Sequence, residues 1–367
     1  MKKVLYGTTA LVAAGMFATT ASAADPIKLG IGGSMQQWIG YISPESDLTT
    51  GGANAHYNSV AINTDTQLAF TGETKLDNGW TVSAEIDIDT ANNNAGPNAT
   101  VNQEFLQVGT GFGTIQAGLA DVITTWEKGA PDVGIGLGDA PRWAPRPQNW
   151  NLGDGTRSTS FADAMTNATT AMAGYISPDF GGFQASVSFM PGLTTGGGIA
   201  SNAANNTNVE SHAMGAGWNG DLGGVALGVG VGYAAESGAA NTASRTLWNG
   251  GLEIGFGPVT VAGSYLDVNS SIYNTTAIND TTMWDAGVRY DVDAWNLSLS
   301  YMNETFKRTT TDEEELATWM ASARYNLGGG VTWRTSIFNV DQKDKRNSAD
   351  NNNASTTGVV TGLNLAF

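Results

Sequence analysis

The chain is 367 residues long, carries 34 acidic against 17 basic side chains for a formal charge of −17, and contains 48 glycines and no cysteine. The missing cysteines exclude a disulfide framework, and the acidic balance argues against nucleic acid or anionic lipid headgroups as partners. With 14% charged residues and abundant Gly, Thr, Asn and aromatics, the composition fits neither an acidic disordered tail nor an average enzyme; it suits strands joined by tight turns.

The first 23 residues read as a secretory signal: Lys2 and Lys3, an apolar stretch from Val4 to Phe17, then Ala21-Ser22-Ala23 before an expected cleavage after Ala23. Gly7, Thr8 and Thr9 interrupt the apolar run, short of the roughly 20 residues a membrane helix needs. No later segment is apolar enough for such a helix. Residues 24–367 are therefore a soluble domain or a closed transmembrane barrel, the other arrangement that hides every backbone N–H and C=O from lipid.

Downstream, apolar and polar residues alternate with period two. From Trp80 to Ile88 the even positions are apolar, while Thr81, Ser83, Glu85 and Asp87 form the opposite face. Strands are expected at 27–41, 60–75, 80–89, 102–110, 113–120, 168–177, 183–190, 209–218, 225–234, 243–256, 258–267, 281–290, 295–303, 315–325, 331–340 and 355–367. Short turns such as Leu76-Asp77-Asn78-Gly79 and Gly257-Pro258 alternate with long polar stretches, the longest at 121–167. Aromatics such as Trp80, Phe112, Tyr175, Phe183, Phe256, Tyr290, Trp295 and Trp333 fall beside the short turns, where a membrane-interface girdle belongs. The fold expected is all-β, a transmembrane antiparallel β-barrel of about sixteen strands, an even number wide enough for an aqueous lumen.

Three stretches, taken in order, resemble the trimeric general porins of Gram-negative outer membranes: Leu68-Ala69-Phe70-Thr71-Gly72-Glu73 leading to Trp80, Phe112-Gly113-Thr114-Ile115 ending in Gly118, and Tyr175-Ile176-Ser177-Pro178-Asp179-Phe180-Gly181-Gly182-Phe183. The last strand, ending at Phe367 after Leu363 and Leu365, is similar to that family's assembly signal. The resemblance implies an outer-membrane homotrimer, embedded in outer-membrane lipid, that passes small hydrophilic solutes and ions by passive diffusion. It also implies that the third long loop, 121–167, folds inward and constricts the pore. That loop carries Glu127, Asp132 and Asp139 together with Arg142, Arg146 and Arg157, stiffened by Pro141, Pro145 and Pro147. An exposed surface loop is the alternative for a stretch of this length.

The family often places arginines on the lumen wall facing this loop; the matching positions here hold Gln67 and Asn102, and Leu119 follows Gly118 where arginine is common. Parity instead points Glu85, Asp87 and Glu104 inward, with Arg245, Arg289, Arg324 and Arg334 on inward faces of later strands. The expectation is a cation-preferring channel. A substrate-selective porin, or an adhesin or structural barrel acting through its loops, are the rival readings.

Nothing in the chain argues for an enzyme or a cofactor. His56 and His212 are isolated and lack metal-ligand spacing, so no metal site is expected, and no G-x-S-x-G elbow is present. Gly228-x-Gly230-x-Gly232 reads as a strand with small residues on one face rather than a nucleotide loop. Asp312, Glu313, Glu314 and Glu315 read as an acidic run in a solvated loop, with a divalent-cation site as the alternative.

Overall fold

The computed structural model describes residues 26–44, 49–50, 53–54, 58–91, 99–145, 160–165, 169–191, 210–237, 244–271, 280–307, 313–344 and 353–367. The expected signal at 1–23, and Arg146, Arg157, His56 and Asp312, lie outside them. Sixteen strands form one closed antiparallel barrel. They are β1 Lys28–Pro44, β2 Val60–Lys75, β3 Thr81–Ala91, β4 Thr100–Thr110, β5 Gly113–Asp121, β6 Thr169–Ile176, β7 Phe183–Met190 and β8 Glu210–Leu222. The circuit continues with β9 Val225–Ser237, β10 Ser244–Phe256, β11 Val259–Ser271, β12 Asp280–Val292, β13 Trp295–Lys307, β14 Glu313–Gly328, β15 Val331–Asp344 and β16 Ala354–Ala366. A separate two-residue hairpin, Thr49–Thr50 with Ala53–Asn54, lies in the first long connection.

Closure leaves no edge strand. β1 pairs with β2 on one side and β16 on the other, and at the seam Gly33 N–H donates to Phe367 O (2.9 Å) while Phe367 N–H donates to Gly33 O (3.0 Å). Within the strands, then, the backbone donors and acceptors are paired, which is what a lipid environment demands. The short turns are as the residue types require. At Gly223-Gly224 both φ angles are positive (68° and 94°), the two-residue hairpin geometry that a side chain disfavours, and Asp221 Oδ1 accepts the Gly224 N–H at 2.8 Å.

The outer face carries the large apolar side chains: Ile86, Leu106, Val231, Leu252, Leu299 and Ile337 are all exposed. Two aromatic bands bound it over β12 to β15. Near the short turns Trp295 packs at a tilt on Tyr325 (4.6 Å) and meets Trp333 edge-on (6.0 Å); toward the long loops Trp284, Tyr301 and Trp319 form a row at 5.0 and 4.5 Å. Trp295 and Tyr301 share a strand six residues apart, about 20 Å at the strand rise before tilt is allowed for.

Two sequence-based expectations need correction here. Glu313, Glu314 and Glu315 do not lie in a solvated loop but open β14, so the alternation splits them: Glu314 is buried on the inner face, with Glu313 and Glu315 on the other. Several strands also run past their expected ends, β8 to Leu222 and β9 to Ser237, because polar residues beyond the apolar belt continue the ladder.

Candidate pore lining

The connection leaving β5 at Asp121 lies against the polar inner face of the wall through residues 122–144. Its backbone would be unsatisfied there without partners, and the wall supplies them. Ser188 Oγ accepts the Ile123 N–H (3.2 Å) and Ser186 Oγ donates to Ile123 O (3.3 Å). Asp285 Oδ1 accepts the Ala130 N–H (2.8 Å), Ser298 Oγ the Val133 N–H (3.3 Å) and Ser336 Oγ the Ile135 N–H (3.1 Å), while Ser300 Oγ donates to Pro131 O (2.6 Å). These partners span β7, β12, β13 and β15, so the segment crosses several strands in sequence.

Apolar clusters fix both ends. At the first, Trp126 and Phe161 pack edge to face (5.1 Å) among Met172, Met190, Leu247 and Leu266; at the second, Leu137, Ala140 and Ala144 pack on Trp38, Met302, Met320 and Phe338. Inward Leu, Met and Phe would be misplaced in a wholly water-filled barrel; here they are the footprint of the segment. Two short helices belong to this connection, α1 Ala140–Trp143 and α2 Phe161–Ala164. Arg245 holds α2, donating from one guanidinium nitrogen to Ala164 O (2.9 Å) and from another to Glu236 (2.9 Å).

Burial shapes the segment's carboxyls. Glu127 accepts the Phe161 N–H, yet desolvation dominates, and with Asp163 and Asp285 nearby its pKa is pushed up from 4.5 to about 7. Asp139 is raised to about 6, again chiefly by burial, with Arg142 opposing the shift from an ion pair at 3.2 Å. Asp132 is also raised by burial despite hydrogen bonds from the Gly134 N–H and Ser322.

A cavity of about 1940 Å³ opens beside this segment. Among the described residues its lining holds eleven acids (Asp65, Asp89, Glu127, Asp132, Asp139, Asp163, Asp179, Asp221, Glu253, Asp285 and Asp291) against four bases, Lys128, Arg142, Arg289 and Arg334. Two of those bases are already engaged, Arg142 by Asp139 and Arg289 by Asp291 (3.1 Å). Setting aside those two ion pairs, nine acids face two bases, and burial favours the neutral form of two of the nine, Glu127 and Asp132, so the lining is net negative.

The wall residues singled out in the sequence fall as follows. Gln67 lines the cavity opposite Asp89. Glu85 and Asp87 share the inner face of β3, with Asp87 hydrogen-bonded to Asn102. Arg324 donates to Asn296 Oδ1 (2.9 Å) and sits directly across from Arg334. Glu104 is a correction. The register pairs it with Ile86 and Leu119, residues of the outer face, so its carboxylate points away from the lumen, and Leu119 is likewise no lumen-wall position. Parity misled because the neighbouring Phe105 faces inward, where it packs on the Trp126–Phe161 cluster. His212 also faces outward, 3.0 Å from Glu210.

Sequence reasoning missed Trp126, Asp285 and the wall serines. The one signal for the latter is Ser186-x-Ser188 and Ser298-x-Ser300, short hydroxyls repeated on the inward face where a backbone must come close.

A closed sixteen-strand barrel with an apolar outer belt, aromatic bands and a charged polar interior defines an outer-membrane channel of the porin class. The model of the Gram-negative porin family matches residues 7–345, and the chain belongs to that family and to the outer membrane. Among solved structures it is similar to an anion-selective porin from Comamonas acidovorans (TM-score 0.66, 15% identity, 93% of this chain and all of that one). It is also similar to OmpT, an outer membrane protein of Vibrio cholerae (TM-score 0.64, 12% identity, 95% and 99%), and to the outer membrane channel DcaP of Acinetobacter baumannii (TM-score 0.63, 12% identity, 93% and 97%). No curated protein matches the sequence.

Proposed function

We propose that this porin is a water-filled, cation-preferring channel for passive diffusion of small hydrophilic solutes and ions, constricted by its third long loop. The carrying observation is the cavity beside residues 122–144, with eleven acids to four bases among the described lining residues. Charges within a Debye length of about 8 to 10 Å of a permeating ion act on it with little screening, so a net negative lining raises cation occupancy and repels anions. The test is conductance of the reconstituted channel alongside liposome swelling with sugars of graded size. A smooth size cut-off across chemically different sugars supports passive diffusion; uptake of one class alone would favour a substrate-selective porin, and no conductance would favour an adhesin or structural barrel. Replacing Glu127, Asp132 and Asp139 by amides is expected to weaken the cation preference.

The homotrimer belongs to the same proposal. One OmpT structure similar to this chain is described as a trimer form. On this chain Glu104 faces outward between Ile86 and Leu119, and a carboxylate facing lipid is costly. Contact with another copy shields such a group. Removal of 1–23 as a signal completes the reading, and the mature chain is expected to begin at Ala24.

A further inference from the structure

Four glycines of β8 and β9 face one another in two adjacent cross-strand pairs, Gly215 with Gly232 and Gly217 with Gly230. None of the four has a positive φ, so no turn or bulge requires glycine here, and glycine weakens a strand that has no such need. What the positions do require is space. A Cβ at Gly232 would lie 1.8 Å from the Trp126 ring, one at Gly215 2.0 Å from it, and one at Gly230 1.8 Å from Trp126 O. The Trp126 indole is buried in this bare patch, and its N–H has no hydrogen-bond partner among the described residues. The fit therefore rests on shape. Trp126 precedes Glu127 and Lys128, both of which line the cavity.

We propose that the glycine patch is a socket and Trp126 its plug, and that this contact, at the first of the segment's two anchored ends, registers residues 122–136 along the wall and so sets the cross-section of the pore; the last clause rests on the constriction reading above. Residues 129–136 reach the wall through isolated hydrogen bonds to serines and Asp285, contacts that hold a segment already in place but do not select one position along a face repeating Ser-x-Ser. The socket does select, because Trp126 is the one aromatic of residues 122–136 and it sits where the wall is stripped to its backbone; the far end of the segment has a contact of the same kind, Trp143 over Gly40.

The test uses the full-length channel, whose lack of native cysteine makes a cysteine pair clean. Val133→Cys with Ser298→Cys, adjacent in the structure through the 3.3 Å bond between Val133 N–H and Ser298 Oγ, reports loop position by disulfide yield. Trp126→Ala empties the socket and Gly232→Leu fills it; Gly250→Ala, with nothing within 4 Å of its Cβ position, is the control. Because Trp126 pairs with no strand, its variant keeps the test open if Gly232→Leu fails to assemble. Trp126→Ala is expected to lower disulfide yield by about threefold or more, given the strict distance requirement of the bond, and to alter single-channel conductance, with barrel assembly and the control unchanged. Unchanged disulfide yield in both assembled variants would overturn the socket. Reduced yield with unchanged conductance would uphold the socket and overturn the constriction reading instead.

Discussion

Glu127→Gln separates charge from shape in the proposed constriction. The amide keeps a carbonyl to accept the Phe161 N–H but can carry no charge. A rise from 4.5 to about 7 corresponds to roughly 3 kcal/mol of preference for the neutral carboxyl, an upper bound that partial contact with water reduces to about 1–2 kcal/mol. In an undocked segment the group would return to its ordinary 4.5, so below that pH it is neutral in both states and docking carries no penalty. As pH rises from there toward 7 the undocked form ionises first and docking weakens; above 7 both forms are charged and the penalty levels off. Through the same upper range the docked carboxylate adds a negative charge to the lining. Single-channel conductance measured from pH 5 to 8.5 should therefore show a change centred near 7, with more frequent substates on the alkaline side. The Glu127→Gln channel should lack that change while keeping a smaller one near 6 from Asp139. An unaltered step near 7 in the variant would refute the assignment to Glu127.

The facing of β10 is tested by neighbours. Leu252→Arg puts a cation in the lipid-facing belt and should cost about 2 kcal/mol or more, read as a lower denaturant midpoint on refolding into lipid; Glu253→Arg, on the lumen side, should leave that midpoint alone and shift selectivity toward anions. Deleting Phe367 removes both of its backbone hydrogen bonds with Gly33, a loss of about 1–3 kcal/mol at the seam, and should slow barrel assembly as followed by heat-modifiable gel migration. Glu104→Leu should lower the temperature at which the proposed trimer dissociates while leaving conductance per barrel unchanged; an unaltered dissociation temperature would remove Glu104 from the proposed subunit contact.

The strands were legible because a closed sheet with lipid outside and water inside imposes period two on nearly every segment, and the turns because Gly, Asn and Asp mark them. The phase of β4 was not, since Val101, Phe105, Leu106 and Val108 place apolar residues on both faces and only the packing of Phe105 against the loop decides between them. The inward Leu247, Leu266, Met302 and Phe338 were illegible for the same reason: they are apolar to meet the 121–167 connection rather than lipid. Alternation could show Gly228-x-Gly230-x-Gly232 as a bare face but could not say what covers it. Asp285 looked like one acid among many, and only the register brings it to the Ala130 N–H.

The most direct measurement is the reversal potential of the reconstituted channel in a KCl gradient at low ionic strength and pH above 7, where the lining acids are most fully charged. A potential on the cation-selective side that shrinks as salt rises is the expected result. An anion-selective potential under those conditions would contradict the proposed acidic constriction.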